Sequence, residues 1–79
     1  MKLVYFASAG TGDPTRASIP LHLAANGSLE VGQDTTVVLG GDATEIILED
    51  NADRMEGLGV PPVRELLAKL REHSVPVFV

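Results

Sequence analysis

Three short apolar runs limit what this chain can fold into. They are Leu3-Val4-Tyr5-Phe6-Ala7, the β-branched stretch from Thr35 to Leu39, and Val75 to Val79. Such runs read as strands buried in a parallel sheet, where helices cover both faces and no polar alternation is needed. Parallel strands cannot be joined by a tight hairpin. They need a crossover of about a dozen residues or more, usually a helix. The stretches between the runs carry helix signals, so the order is strand, helix, strand, helix, helix, strand. That order predicts an α/β fold of three layers, with a parallel sheet between helices. At 79 residues the chain is one domain, 1–79. A chain of this size buries only about 60% of its unfolded surface, so its core is small. The third run includes Val79, and on that pattern the domain is expected to be truncated, with its sheet incomplete at the C-terminal edge.

The helix boundaries follow from local chemistry. Asp13 before Pro14 suits an N-cap with proline at the first helical position. The first helix is expected to run to about Glu30 and end at Gly32, with Asn26-Gly27 as an alternative stop and Pro20 as a kink. Its polar stripe, Ser18, His22, Asn26 and Glu30, is expected to face solvent or an oligomer contact. Asp42 with Glu45 resembles a capping box and predicts a short helix from Ala43 to about Glu49. Asn51 to Gly59 reads as a loop. Pro61-Pro62 opens the last helix, where Val63, Leu66, Leu67 and Leu70 fall on one face. Glu65 and Lys69 are spaced as an i, i+4 ion pair on the other face.

Composition excludes several classes of function. There is no cysteine, hence no disulfide, Cys-ligated zinc, iron–sulfur cluster or thiol catalysis within these residues. The net charge of −5 and the three aromatic residues argue against binding nucleic acid or an anionic membrane. No apolar run approaches the roughly 20 residues of a membrane span. The expected setting is cytoplasmic. The acidic stretch from Asp42 to Glu56 lacks the spacing and central glycine of a calcium loop and reads as a solvated face. Neither His22 nor His73 sits in a metal pattern, and no cofactor or catalytic nucleophile is expected.

Ligands of parallel α/β sheets bind beyond the carboxyl ends of the strands. Two segments fall there: Ser8-Ala9-Gly10-Thr11-Gly12-Asp13, and Gly40-Gly41-Asp42. The first joins a strand to a helix N-terminus, a position that favours anions. It lacks the third glycine of a dinucleotide fingerprint and the lysine of a P-loop, so it is weak as a nucleotide motif and a tight turn with a capped helix accounts for it better. Arg16 stands in the first helical turn, where the helix dipole opposes a cation. Its partner is therefore a carboxylate, Asp13 or Asp42, or a bound anion. The candidate ligand-binding residues are Ser8, Thr11, Asp13, Arg16, Gly41 and Asp42.

Asp13-Pro14-Thr15-Arg16-Ala17-Ser18-Ile19-Pro20-Leu21, Gly40-Gly41-Asp42-Ala43, Gly57-Leu58-Gly59-Val60-Pro61-Pro62 and Val75-Pro76-Val77-Phe78-Val79, in that order, resemble the DsrE/DsrF-like family of small sulfur-relay and related proteins. The resemblance spans nearly the whole chain and accounts for Pro20. It implies a flavodoxin-like α/β/α fold, homo- or hetero-oligomers and a cytoplasmic setting. For active members it also implies a persulfide-carrying cysteine just after the strand matching Val75 to Val79. This chain has no cysteine, so that residue has no counterpart here. The resulting expectation is strand order 2-1-3 and an accessory role in sulfur relay, with the reactive cysteine downstream and a sulfur-carrier protein as partner. The alternative is a non-enzymatic oligomeric module that binds a small anion or a partner protein.

Overall fold

The fold is that of a computed structural model, which describes residues 2–79. Strand β1 (Lys2–Ala7) leads into helix α1 (Pro14–Leu23), which continues as a π-helical turn over Ala24–Ser28. Strand β2 (Asp34–Leu39) is followed by a 3₁₀ segment (Gly41–Ile47), the one-turn helix α2 (Asn51–Arg54), helix α3 (Val63–Glu72) and strand β3 (Val77–Phe78). All strand pairing is parallel. β1 and β2 pair from Lys2 opposite Asp34 to Ala7 opposite Leu39, and β2 pairs with β3 at Val37–Val77 and Val38–Phe78. The α/β class and the parallel sheet are as the sequence predicts.

The strand order is β1-β2-β3, which corrects the expected 2-1-3. The helices explain why. α1 and α3 lie side by side on one face of the sheet, tied by Lys69 Nζ donating to Asn26 Oδ1 at 2.8 Å and to Glu30. Two crossovers of the same hand on the same face must step the sheet in one direction. The second helical layer predicted from the sequence is accordingly not formed by the described residues. One sheet face carries Tyr5, Ala7, Val37, Leu39 and Val77, packed with Leu21, Ile46, Met55, Leu66 and Leu70 in the core. On the other face Val4, Phe6 and Phe78 are 60%, 61% and 57% exposed.

Helix α1 starts where the sequence places it. Asp13 is its N-cap, with Pro14 in the first turn, and the Asp13 side chain accepts from the Arg16 amide at 3.1 Å. Beyond Leu23 the bonding widens to i→i+5, with the Leu29 amide donating to the Ala24 carbonyl at 3.0 Å. The buried Ser28 then meets the Tyr5 hydroxyl at 2.6 Å.

The polar stripe of α1 divides: Asn26 and Glu30 are exposed as expected, but they also reach across to α3, and Ser18 is buried. Ser18 is fully buried and donates to the Pro14 carbonyl, His22 Nδ1 bonds the Asn26 amide, and Asn26 and Glu30 take Lys69. Lys69 is therefore spent between helices, and the expected Glu65–Lys69 pair does not form. The outer side of α1 is left to Ile19 and Leu23.

Three smaller features also differ from the sequence reading. The stretch after β2 is 3₁₀ and starts from Gly40, which has no side chain to cap it; the expected cap Asp42 lies inside the first turn, and Glu45 is engaged by Thr11. The loop after it contains the turn of α2. In α3, Val63, Leu66 and Leu70 are buried, while Leu67 is only half-buried.

Candidate functional site

The carboxyl ends of β1 and β2 lie side by side, so the two candidate loops meet. The Gly40 amide donates to the Ala7 carbonyl at 3.0 Å, extending the ladder one step past the strands. Gly41 has φ of +56° and stands 3.8 Å from the Ser8 carbonyl oxygen, measured from where a Cβ would sit. Gly10 is buried beneath the second loop. A Cβ there would fall on the Asp42 carbonyl oxygen and on Glu45 Oε1, so only glycine permits this approach. Ser8, Thr11, Gly41 and Asp42 are thus brought to one exposed rim.

The Thr11 donors on this rim are already engaged. Glu45 Oε1 accepts from the Thr11 amide at 3.2 Å and from the Thr11 hydroxyl at 3.3 Å. A carboxylate of the chain itself thus occupies donors that an anion at this helix start would use. Thr44 caps the second loop by donating to the Gly41 carbonyl at 2.9 Å. Asp13 serves the helix start, and Arg16 Nε lies 3.8 Å from Asp13 Oδ2, with the two side chains 78% and 51% exposed. This pair supplies the negative partner that Arg16 requires in the first turn. It is solvated, and such pairs contribute about 0–1 kcal/mol.

A shallow depression of about 250 Å³ lies beside the rim, lined by Thr11, Pro14, Asn51, Arg54 and Met55. Its one cation is also engaged. Arg54 Nη2 lies 2.9 Å from Asn51 Oδ1 and 3.2 Å from Asp50 Oδ1. Asn51 in turn donates to the Glu45 carbonyl at 2.7 Å, so the depression and the rim share one hydrogen-bonded frame. Among the described residues no group of three or more His, Cys, Asp and Glu is placed to hold a metal ion. No described helix is long and apolar enough to cross a membrane.

Glu45 is the residue whose role the sequence misassigns. Its spacing from Asp42 suggests a reciprocal cap within one helix, yet it reaches a different loop, 34 residues back in sequence. A local pattern gives no signal for such a contact, which exists only because parallel pairing sets the ends of β1 and β2 side by side.

The fold and its rim define a small parallel α/β layer pair whose strand-end loops are tied together by Glu45. No family model matches the chain, and neither does any curated protein or solved structure.

Proposed function

We propose that this chain is a non-enzymatic binding module whose working surface is the open sheet face. The carrying observation is the contrast between its two candidate surfaces. At the strand ends, the Thr11 donors are held by Glu45, Arg16 by Asp13 and Arg54 by Asp50. On the sheet, Val4, Phe6 and Phe78 stand more than half exposed. Solvated ion pairs cost little to leave as they are, whereas exposed aromatic surface gains about 25 cal/mol per Å² when covered.

The test compares the two surfaces. Calorimetric titration of sulfate and thiosulfate is expected to show no binding at millimolar concentration. A fluorescent dye specific for apolar surface is expected to bind the wild type and to lose most of its signal in Phe6→Lys. Anion binding that weakens tenfold or more in Arg16→Gln, with dye binding unchanged by Phe6→Lys, would move the function to the strand ends.

An accessory role in sulfur relay is the second reading, favoured by the resemblance to DsrE/DsrF-like proteins and by one feature of the sheet. β3 runs parallel beside β2, with Phe78 opposite Val38, so β3 points toward the Gly40–Asp42 rim. A thiolate delivered there from another segment or chain would meet the exposed Gly41 and Asp42. None of the chain's own 79 residues is a cysteine, so its part would be to shape the surroundings of a persulfide carried by a partner.

A further inference from the structure

We infer that the partner of the open sheet face is helix α1 of a second copy of this chain, so that copies stack head to tail. The inference rests on the open-face reading above and names the occupant of that face.

The surface consists of Val4 and Phe6 from β1, Val38 from β2 and Phe78 from β3, with Phe6, Val38 and Phe78 aligned across the sheet. The Phe6 ring lies over Gly40, where no Cβ would fit. The patch amounts to a few hundred Å², the size of the largest apolar patch on a typical single chain, which is often functional. Faces of parallel sheets pack against helices. The row from Phe6 to Phe78 spans two strand spacings, about 10 Å, close to the ~10–12 Å diameter of a helix.

The chain also presents an unpartnered helix surface. Ile19 and Leu23, one turn apart on α1, are 46% and 47% exposed, while Ala17 and Leu21 of the same helix are fully buried. At 100° per residue the Ile19/Leu23 ridge lies opposite the buried row, pointing away from the chain's own sheet. The two apolar surfaces therefore occupy opposite sides of a two-layer molecule. One copy cannot cover both, and a two-fold dimer that joins sheet to sheet leaves both ridges bare. Ridge on sheet satisfies one surface of each kind at every contact and repeats the β/α layering of the single chain. Such a contact is heterologous, and it grows into rings or open chains. The patch falls short of the ~800 Å² per partner found in stable interfaces, so association is weak and depends on concentration. Salt strengthens it, because the contact is apolar and each copy carries a net charge of −5 whose repulsion salt screens.

The experiment is sedimentation of wild type, Phe6→Lys and Leu23→Lys from micromolar to millimolar concentration, each alone and as an equimolar mixture of the two variants. Lysine is used so that lost association cannot come from added negative charge. Circular dichroism confirms that each variant folds, and Phe78→Lys with Ile19→Lys serves as an independent pair. The expected result is a wild-type mass that rises with concentration, monomeric variants, and a one-to-one heterodimer in the mixture. Each variant retains the half that the other lacks. A wild type monomeric at millimolar concentration overturns the stacking, as does a mixture that stays monomeric. If dye binding is still lost in Phe6→Lys in those cases, the open-face reading survives without it. A wild type that assembles equally well as Phe6→Lys overturns both.

Discussion

Gly10 sits where a methyl group would meet the Asp42 carbonyl oxygen and the Glu45 carboxylate. A backbone oxygen cannot swing aside as a side chain can, so Gly10→Ala is expected to cost about 1–3 kcal/mol as an overpacked site. Gly12, two residues on, has open space around its Cβ position. Gly12→Ala is expected to stay within about 0.5 kcal/mol. Urea melts of the two variants measure the difference directly, and equal losses would mean that the two loops do not touch. Glu30 offers a test of pH dependence. Its carboxyl titrates below the usual range, held there by the Lys69 hydrogen bond and then by the Lys69 charge. A carboxyl depressed in the folded state adds stability above its unfolded pKa and loses it as pH falls through the folded one. Glu30→Gln is therefore expected to melt slightly below wild type at neutral pH. The gap should close once the pH falls below the carboxylate range, to about 2. A gap that persists in acid would show that Glu30 acts through packing rather than charge.

Helix α3 is the element on which the core depends most, and its burial decides which leucine matters. Leu66 is 1% exposed, whereas Leu67 is half-buried. Leu66→Ala is expected to cost about 2–5 kcal/mol, enough to unfold much of a domain this small, and Leu67→Ala clearly less. Lys69→Ala is expected to cost no more than about 1 kcal/mol, as for a surface ion pair. Thermal melts that rank Leu67 above Leu66 would mean that the helix is rotated from this position. The sequence shows that a helix begins after Pro61-Pro62 and that its leucines form one face. It does not show how far that face is turned, because Leu66 and Leu67 are adjacent and both fit a broad apolar stripe. The start of α1 was equally legible, since Asp13-Pro14 fixes a cap locally. The destination of its polar stripe was not. Ser18, His22, Asn26 and Glu30 read as facing solvent or an oligomer contact; that Asn26 and Glu30 also take Lys69, 39 residues on from Glu30, has no local signal.

At the scale of the whole molecule, the parallel sheet was legible because three apolar runs separated by helices leave few other arrangements. The strand order was not, because local sequence does not encode which way a crossover steps. That order decides what is covered: both crossovers lie on one side, and the aromatic face of the sheet is left open. The candidate rim shows the same division. Its loops could be named from their glycines and Asp13 as a partner of Arg16 from its spacing, but the tie between Glu45 and Thr11 emerges only when the strand ends are assembled. On the proposed function, the open sheet face, and not the strand-end rim, is where this chain meets other molecules. Amide chemical shifts followed on dilution, and then on addition of sulfate, test it most directly. The prediction is that dilution moves Val4, Phe6, Val38 and Phe78 together with Ile19 and Leu23, while sulfate leaves Ser8 to Arg16 and Gly41-Asp42 in place. Shifts confined to those rim residues on adding sulfate, with no residue responding to dilution, would contradict it.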